Sequence, residues 1–260
     1  MISPLCAEQM AMYRDACLNE HVFGSRAWAS LLLYGLEHPR HKFYLSTDPA
    51  GRVDAALHLN GDVLSIVPDG GPILSELADF VRRCGATEID SSEEQDVQLQ
   101  KLLGGEIESS YFMEYPLSQP PALDPSWDIR PTQDARAVFD VLRQSHEYYR
   151  DHLEYGPWAE DLQARWQKQL ATTVLLYQGG CAVGTGSVIS TDDQAGAVAA
   201  VAVIPQARHK GCGAAISAWL TGHILAQGKK PVLISGYDEV AQLYRGLGYR
   251  ETGRWGELYL

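Results

Sequence analysis

The stretch AGAVAAVAVIPQARHKGCGAAISAWLTGHILA, residues 195 to 226, constrains the fold more than any other part of the sequence. Its first ten residues are apolar and β-compatible and stop at Pro205. Its last sixteen, from Gly211, are small and apolar without a breaker, which predicts a helix over Gly211–Gln227. Between the two lie Arg208, His209 and Lys210, then two glycines around a cysteine. A strand that turns directly into a helix leaves the first helical N–H groups without acceptors, and the positive end of the helix dipole adds to them. Gly211 and Gly213 let the backbone come close to a ligand, so the turn is suited to a diphosphate.

That cationic turn stands in an acidic chain of net charge -12. Phosphate-backbone binding needs a basic surface, so nucleic acid is not an expected partner. The composition, 45% hydrophobic and 21% charged, is that of a globular protein. No apolar run approaches the roughly 20 residues that span a bilayer, and no basic, then apolar, signal opens the chain. A cytoplasmic protein with no membrane partner is expected. Cys6, Cys17, Cys84, Cys181 and Cys212 form no C-x-x-C pair. They read as free thiols, not a disulfide framework or a zinc site. His146 and His152 lack a third ligand, and no metal is expected.

The segment LSQPPALDPSW, Leu117 to Trp127, holds three prolines and no periodic pattern. It predicts a linker at 121–126 between an N-terminal domain, 1–120, and a second domain, 127–260. Residues 1–122 carry 18 acidic and 8 basic side chains, against 15 and 13 in residues 123–260. The second half reads as a strand at WDIRP, a helix from an N-capping Thr132 to about Tyr149 and a helix from Pro157 to about Leu170. Three antiparallel strands (TTVLLYQ, CAVGTGSVIS, AGAVAAVAVI) precede the glycine turn and its helix. A strand PVLISG, a helix Asp238–Gly246 capped by Asp238 and a closing strand follow. The first half repeats this order, from the helix SRAWASLLLYGLEH to the strand IESSYFMEYPL. The expected class is mixed α/β, with a mostly antiparallel sheet in each of two tandem halves.

Downstream of the glycine turn, EVAQLYRGLGYRETG predicts a short helix ending at Gly248, with Ala241, Leu243, Tyr244 and Leu247 along it. VIPQARHKGCGAA together with AQLYRGLGYRETG resembles the GNAT superfamily of acyl-CoA-dependent N-acetyltransferases, and the resemblance runs in element order from Trp127 to Leu260. It implies acetyl-CoA, or a close acyl-CoA, as donor. Backbone groups of Val201, Ala202 and Val203 would receive the pantetheine arm, which splits the sheet at that strand, and an N–H of Ala202 or Val203 would face the oxyanion. The diphosphate would fall to Gln206, Arg208, His209, Lys210, Gly211, Cys212, Gly213 and Ala214. Arg208, Gly211 and Gly213 stand at the family's Arg/Gln-x-x-Gly-x-Gly/Ala positions. Tyr244 matches the tyrosine that protonates the departing CoA thiolate. The acceptor would be the primary amine of a small molecule, with an acyl-CoA sensor or a protein N-acetyltransferase as alternatives, in a monomer or homodimer.

Many family members carry a carboxylate on the fourth strand, and AGAVAAVAV has none. The base is left open among Glu147, His146, His152, Asp192 and Asp193, acting through water. SHEYYRDHLEYGPW, Ser145 to Trp158, lies where the family shapes its acceptor pocket. There Tyr148, Tyr149, Tyr155 and Trp158 would wall an amine and Glu147, Asp151 or Glu154 would pair with it. The first half's counterpart of the cradle, VLSIVPDGGPILSEL, replaces the basic cluster with Asp69, and Lys101 or Leu102 stands in the place of Tyr244. That half is expected to bind no CoA.

Overall fold

The structure is a computed structural model that describes residues 1–19, 23–68, 71–189 and 192–260. The chain divides into two compact units. One comprises residues 1–113, 234–238 and 251–260, and the other 114–233 and 239–250.

The first unit begins with β1 (Ile2–Pro4), α1 (Met10–Leu18) and α2 (Phe23–Tyr34). Strands β2 (His41–Thr47), β3 (Val53–Asn60) and β4 (Val63–Pro68) follow as an antiparallel meander. Helix α3 (Leu74–Cys84) then crosses to β5 (Glu88–Ser92), which is parallel to β4, and α4 (Glu93–Leu103) leads to β6 (Glu106–Glu114). The β4–β5 ladder covers only Val63–Ser65 against Glu88–Asp90. Leu57, Leu64, Ile66, Leu77, Ile89 and Leu99 are at the centre of this unit's core.

The rest of the chain repeats that order. Strand β7 (Asp128–Thr132) precedes α5 (Ala135–Ser145), α6 (Glu147–His152) and α7 (Tyr155–Gln167). Strands β8 (Thr172–Gln178), β9 (Cys181–Ile189) and β10 (Ala195–Val203) form the meander. Helix α8 (Cys212–Ala226) connects to β11 (Lys230–Ser235), parallel to β10, and α9 (Asp238–Leu247) precedes β12 (Arg250–Tyr259). The expected mixed α/β class and mostly antiparallel sheets are what the structure has.

Two packing arrangements position the site. On one face of the second sheet, Val138 and Leu142 of α5 and Leu162 and Trp166 of α7 close over Leu175 and Ala202. Removing these apolar side chains from water drives the assembly. On α8, Ile216 and Leu220 reach so close to β9 that a Cβ on Gly186 would lie 2.6 Å from Ile216 Cγ2 and 2.9 Å from Leu220 Cδ1. Only glycine lets the helix sit that deep, which explains the small residues in CAVGTGSVI.

Several boundaries differ from the sequence reading, each for a local reason. Asp134, not Thr132, caps α5, its carboxylate accepting from Ala137 N–H at 3.0 Å. Thr132 instead ends β7, where Pro131 is tolerated because β7 is the edge strand. The predicted helix to Tyr149 breaks at His146, whose extended backbone ends α5 and caps α6. Asp238 is the first residue of α9 itself. Neither β1 nor α1 was expected. The closing strand, which the cut at 121–126 groups with the second half, pairs with β5 from Trp255↔Ser92 to Tyr259↔Glu88 and lies between β5 and β6. Its Leu258 is fully buried in the first unit's core.

Candidate acyl-CoA site

Strand β10 is built to come apart from its neighbour. Its ladder to β11 covers Ala195–Ala197 against Lys230–Val232, and beyond that point, among the described residues, it pairs with β9 alone. The β9 register shifts between Ala199 and Ala202, where Ala200 takes a left-handed backbone (φ 51°). A bulge of this kind bends the strand and increases its twist. The edge of β10 that a further strand would occupy is thereby open at Val201–Val203.

The chain then passes Pro205 and enters a turn in which His209 (φ 59°) and Gly211 (φ 84°) are both left-handed. Gly211 is the N-cap of α8, a conformation that glycine adopts without steric cost. Ala215 N–H is bonded to Gly211 O at 2.9 Å, which leaves the N–H groups of Cys212, Gly213 and Ala214 at the exposed start of the helix. Donors arranged this way, at the positive end of a fifteen-residue helix, form an anion cradle.

A cavity of about 400 Å³ opens on this cradle. Of the residues that the sequence assigned to the donor, Val201, Val203, Arg208, His209, Gly211, Cys212, Gly213 and Ala214 line it, as does Tyr244. Ala202 is instead buried in the core under α5, and Gln206 and Lys210 are outside the lining. Ala207, Val240 and Leu243 line the cavity and were missed. Val240 had a signal, since the position four before Tyr244 shares its helix face, and Leu243 follows Val240 at the next neighbouring position, three residues on.

The two longest basic side chains of the turn spend hydrogen bonds within the protein. Lys210 Nζ donates to Gln206 O at 2.8 Å. Arg208 Nε donates to Val203 O at 3.2 Å, and its Nη2 donates to Ser145 O at the end of α5. Both cations therefore satisfy backbone carbonyls, Arg208 at a helix C-terminus where a cation is favoured. The donors that face the cavity without a partner inside the protein are mainly backbone N–H groups.

Tyr244 is 6% exposed and packs edge-on against Tyr249 at 5.5 Å, which in turn packs against Tyr115 at 5.2 Å. Burial raises the Tyr244 pKa above its ordinary value. The nearby Ser217 hydroxyl opposes this slightly without making a hydrogen bond of ordinary geometry. The phenol is thus kept protonated at neutral pH, as a proton donor requires. Burial likewise raises the Cys212 thiol pKa, and its sulfur accepts only a weak contact from Gln178 Nε2 at 3.5 Å, so it is not an activated nucleophile.

The Ser145–Trp158 residues separate into different roles. Tyr149 and Trp158 pack against the second unit's core, and burial raises the Tyr149 pKa. Tyr155 meets Phe139 edge-on at 5.0 Å. Tyr148 is 61% exposed and stacks on His152, while Asp151 is paired with Arg150. Glu147 and His146 line a separate cavity that also touches Arg208. Asp192 is buried, and its Oδ1 accepts from the N–H groups of Gln194 (2.6 Å) and Ala195 (2.7 Å). It caps the start of β10, roughly 30 Å of extended chain from Val201, and with Asp193 beside it falls out as a base. Among the described residues no group of three His, Cys, Asp or Glu side chains is placed to hold a metal ion. No described helix is long and apolar enough to cross a membrane.

In the first unit, Asp69 and Gly70 of the corresponding turn lie outside the described residues. Helix α4, the counterpart of α9, contains no tyrosine. Lys101 and Leu102 are exposed on it, and Leu99, seventh in α4 as Tyr244 is in α9, is buried in the core.

The acetyltransferase (GNAT) family model matches residues 135–249. A GCN5-related N-acetyltransferase from Sphaerobacter thermophilus is similar in structure, with 17% identity, 99% of this chain and 94% of that chain covered, and a TM-score of 0.68. A tandem GNAT protein from the clavulanic acid biosynthesis pathway is 13% identical over 99% and 97% of the two chains, with a TM-score of 0.65. An acetyltransferase from Colwellia psychrerythraea is 12% identical over 100% and 99%, with a TM-score of 0.63. No curated protein matches the sequence. These likenesses extend over nearly the whole chain and give both halves one fold. Residues 135–249 thus match the acetyltransferase (GNAT) family, whose members transfer acyl groups from acyl-CoA, and the chain has the fold of a tandem GNAT protein.

Proposed function

We propose that the second unit transfers an acetyl group from acetyl-CoA to the primary amine of a small molecule by direct attack. One observation carries this reading: a single cavity is bordered by the open edge of β10, the N–H groups at the start of α8 and the buried phenol of Tyr244. The diphosphate would lie on Cys212, Gly213 and Ala214, and the pantetheine arm along Val201 and Val203. An N–H at the end of β10 would face the carbonyl oxygen as it becomes an oxyanion.

The neutral amine nitrogen attacks the thioester carbon, and the tetrahedral intermediate collapses with loss of the thiolate. Tyr244 keeps its proton at neutral pH and can donate it to the sulfur at close range as charge develops there in the collapse of the intermediate. The nitrogen's surplus proton leaves through water. With no carboxylate on β10, holding the two substrates together supplies a large part of the rate.

That same alanine-rich strand favours one other reading, an acyl-CoA-binding module without turnover. Thiol release from acetyl-CoA with a panel of amines, in the wild type and in Tyr244→Phe, decides between them. Turnover that falls in the variant while acetyl-CoA still binds supports the transferase. Binding without turnover across the panel supports the module.

A further inference from the structure

We infer that the amine acceptor carries an oxyanion, a carboxylate or a phosphate, and that the cavity at the α5–α6 corner receives it. The inference rests on the transferase reading and narrows its acceptor. This cavity, of about 290 Å³, shares the Arg208 wall with the donor cavity, so the two lie side by side. Arg143, Arg150 and Arg208 all line it, in a protein whose net charge is -12.

The donors in this cavity exceed what the protein itself uses. Arg143 gives one hydrogen bond, from Nη2 to Arg150 O at 3.1 Å, with its guanidinium carbon 5.7 Å from the Phe139 ring centre. A guanidinium has five N–H donors, so most of those on Arg143 remain available. Arg208 spends Nε and Nη2 on Val203 O and Ser145 O, which fixes it in place and leaves Nη1. His146 Nδ1 accepts Tyr148 N–H at 3.1 Å, so the neutral ring carries its proton on Nε2. Arg150 contributes less, because two hydrogen bonds join it to Asp151.

One lining residue is acidic, Glu147. A lone carboxylate among guanidinium groups suits a molecule that carries both signs: the arginines and His146 hold its oxyanion in the fork geometry arginine favours, and Glu147 faces its ammonium. A donor phosphate would gain nothing from Glu147. The cavity's charges therefore fit an amino acid or an aminoalkyl phosphate better than a neutral amine.

The test compares amine pairs that differ only in the distal group, β-alanine with 3-amino-1-propanol and phosphoethanolamine with ethanolamine. Acetyl-CoA-dependent thiol release is measured for the full chain, for Arg143→Gln and for Arg130→Gln. Arg130 serves as control because it pairs with Asp128 on the edge strand β7. The acidic member of at least one pair should have a kcat/KM at least tenfold higher than its neutral twin. Arg143→Gln should remove most of that preference by lowering the acidic member's kcat/KM far more than the neutral twin's, and Arg130→Gln should keep it.

Equal rates within both pairs overturn the inference, as does an equal loss for both members in Arg143→Gln. If Arg143→Gln weakens acetyl-CoA but not its 3′-dephospho form, the cavity belongs to the donor and the inference fails. If no amine turns over while acetyl-CoA binds, the transferase reading fails by itself. The cavity is then judged by titrating phosphoethanolamine into the acetyl-CoA-loaded chain. Binding lost in Arg143→Gln supports an oxyanion site, and no binding refutes it.

Discussion

The turn after β10 and the turn after β4 occupy the same place in two units of one element order, and they offer a ligand different things. In both, a strand pairs with its parallel neighbour over only three residues before the chain turns into a helix. After β10 the turn is ARHKGCGAA, with two left-handed residues, and Tyr244 stands across the cavity on α9. After β4 it is PDGGP, with Asp69 in place of the cations and no tyrosine on α4. One backbone plan thus serves as scaffold twice, and on the proposed function a few side chains decide whether it can take an acyl-CoA.

The largest effect expected is at the cradle. Gly213 has an ordinary backbone, and a Cβ there would meet only Leu243 Cδ1 at 3.7 Å, so Gly213→Glu should fold. Its carboxylate would enter the cavity and repel the diphosphate. Acetyl-CoA affinity, by calorimetry, should fall at least 100-fold, about 3 kcal/mol, with thermal stability near that of the wild type.

The next effect concerns β12. Trp255 is 5% exposed and stacks on Phe23 within the first unit. Trp255→Ala should cost about 3–5 kcal/mol in urea unfolding. A cost below about 1 kcal/mol would contradict the place of β12 in the first core.

The two units should also differ in their response to pH. Burial raises Asp96, on α4, to a pKa of about 7, and Asp90 and Glu88 shift upward in the same region. The folded state then holds a proton that the unfolded chain has released. Its stabilising effect is complete below about pH 4, the ordinary carboxyl value, and is lost as pH rises to about 7. The first unit should lose on the order of 3 kcal/mol across that window, and Asp96→Asn should flatten the loss. Unfolding midpoints at pH 5 and pH 8 measure it.

The smallest effect is chemical. Tyr244→Phe should lower kcat about tenfold to a hundredfold and change acetyl-CoA affinity less than threefold, because the ring keeps its packing against Tyr249.

How far the sequence reached follows from what each feature depends on. The glycine turn, the helix after it and Tyr244 were legible because local pattern and spacing determine them. The bulge at Ala200 was not, since an alanine run contains no mark of where its register slips. The directions of Arg208 and Lys210 depend on which carbonyls the fold brings near, and Ser145 lies 63 residues earlier in the chain. The partner of β12 is likewise a tertiary choice that strand propensity does not encode. The aromatics of α6 and α7 suit a substrate wall or inward packing by sequence alone, and the fold packs Tyr149 and Trp158 against the core.

The contrast between the two turns is tested most directly by the stoichiometry of acetyl-CoA binding to the full-length wild-type chain, titrated calorimetrically. A cradle confined to the second unit predicts one acetyl-CoA per chain. Two per chain, or one that persists undiminished in Gly213→Glu, would contradict it.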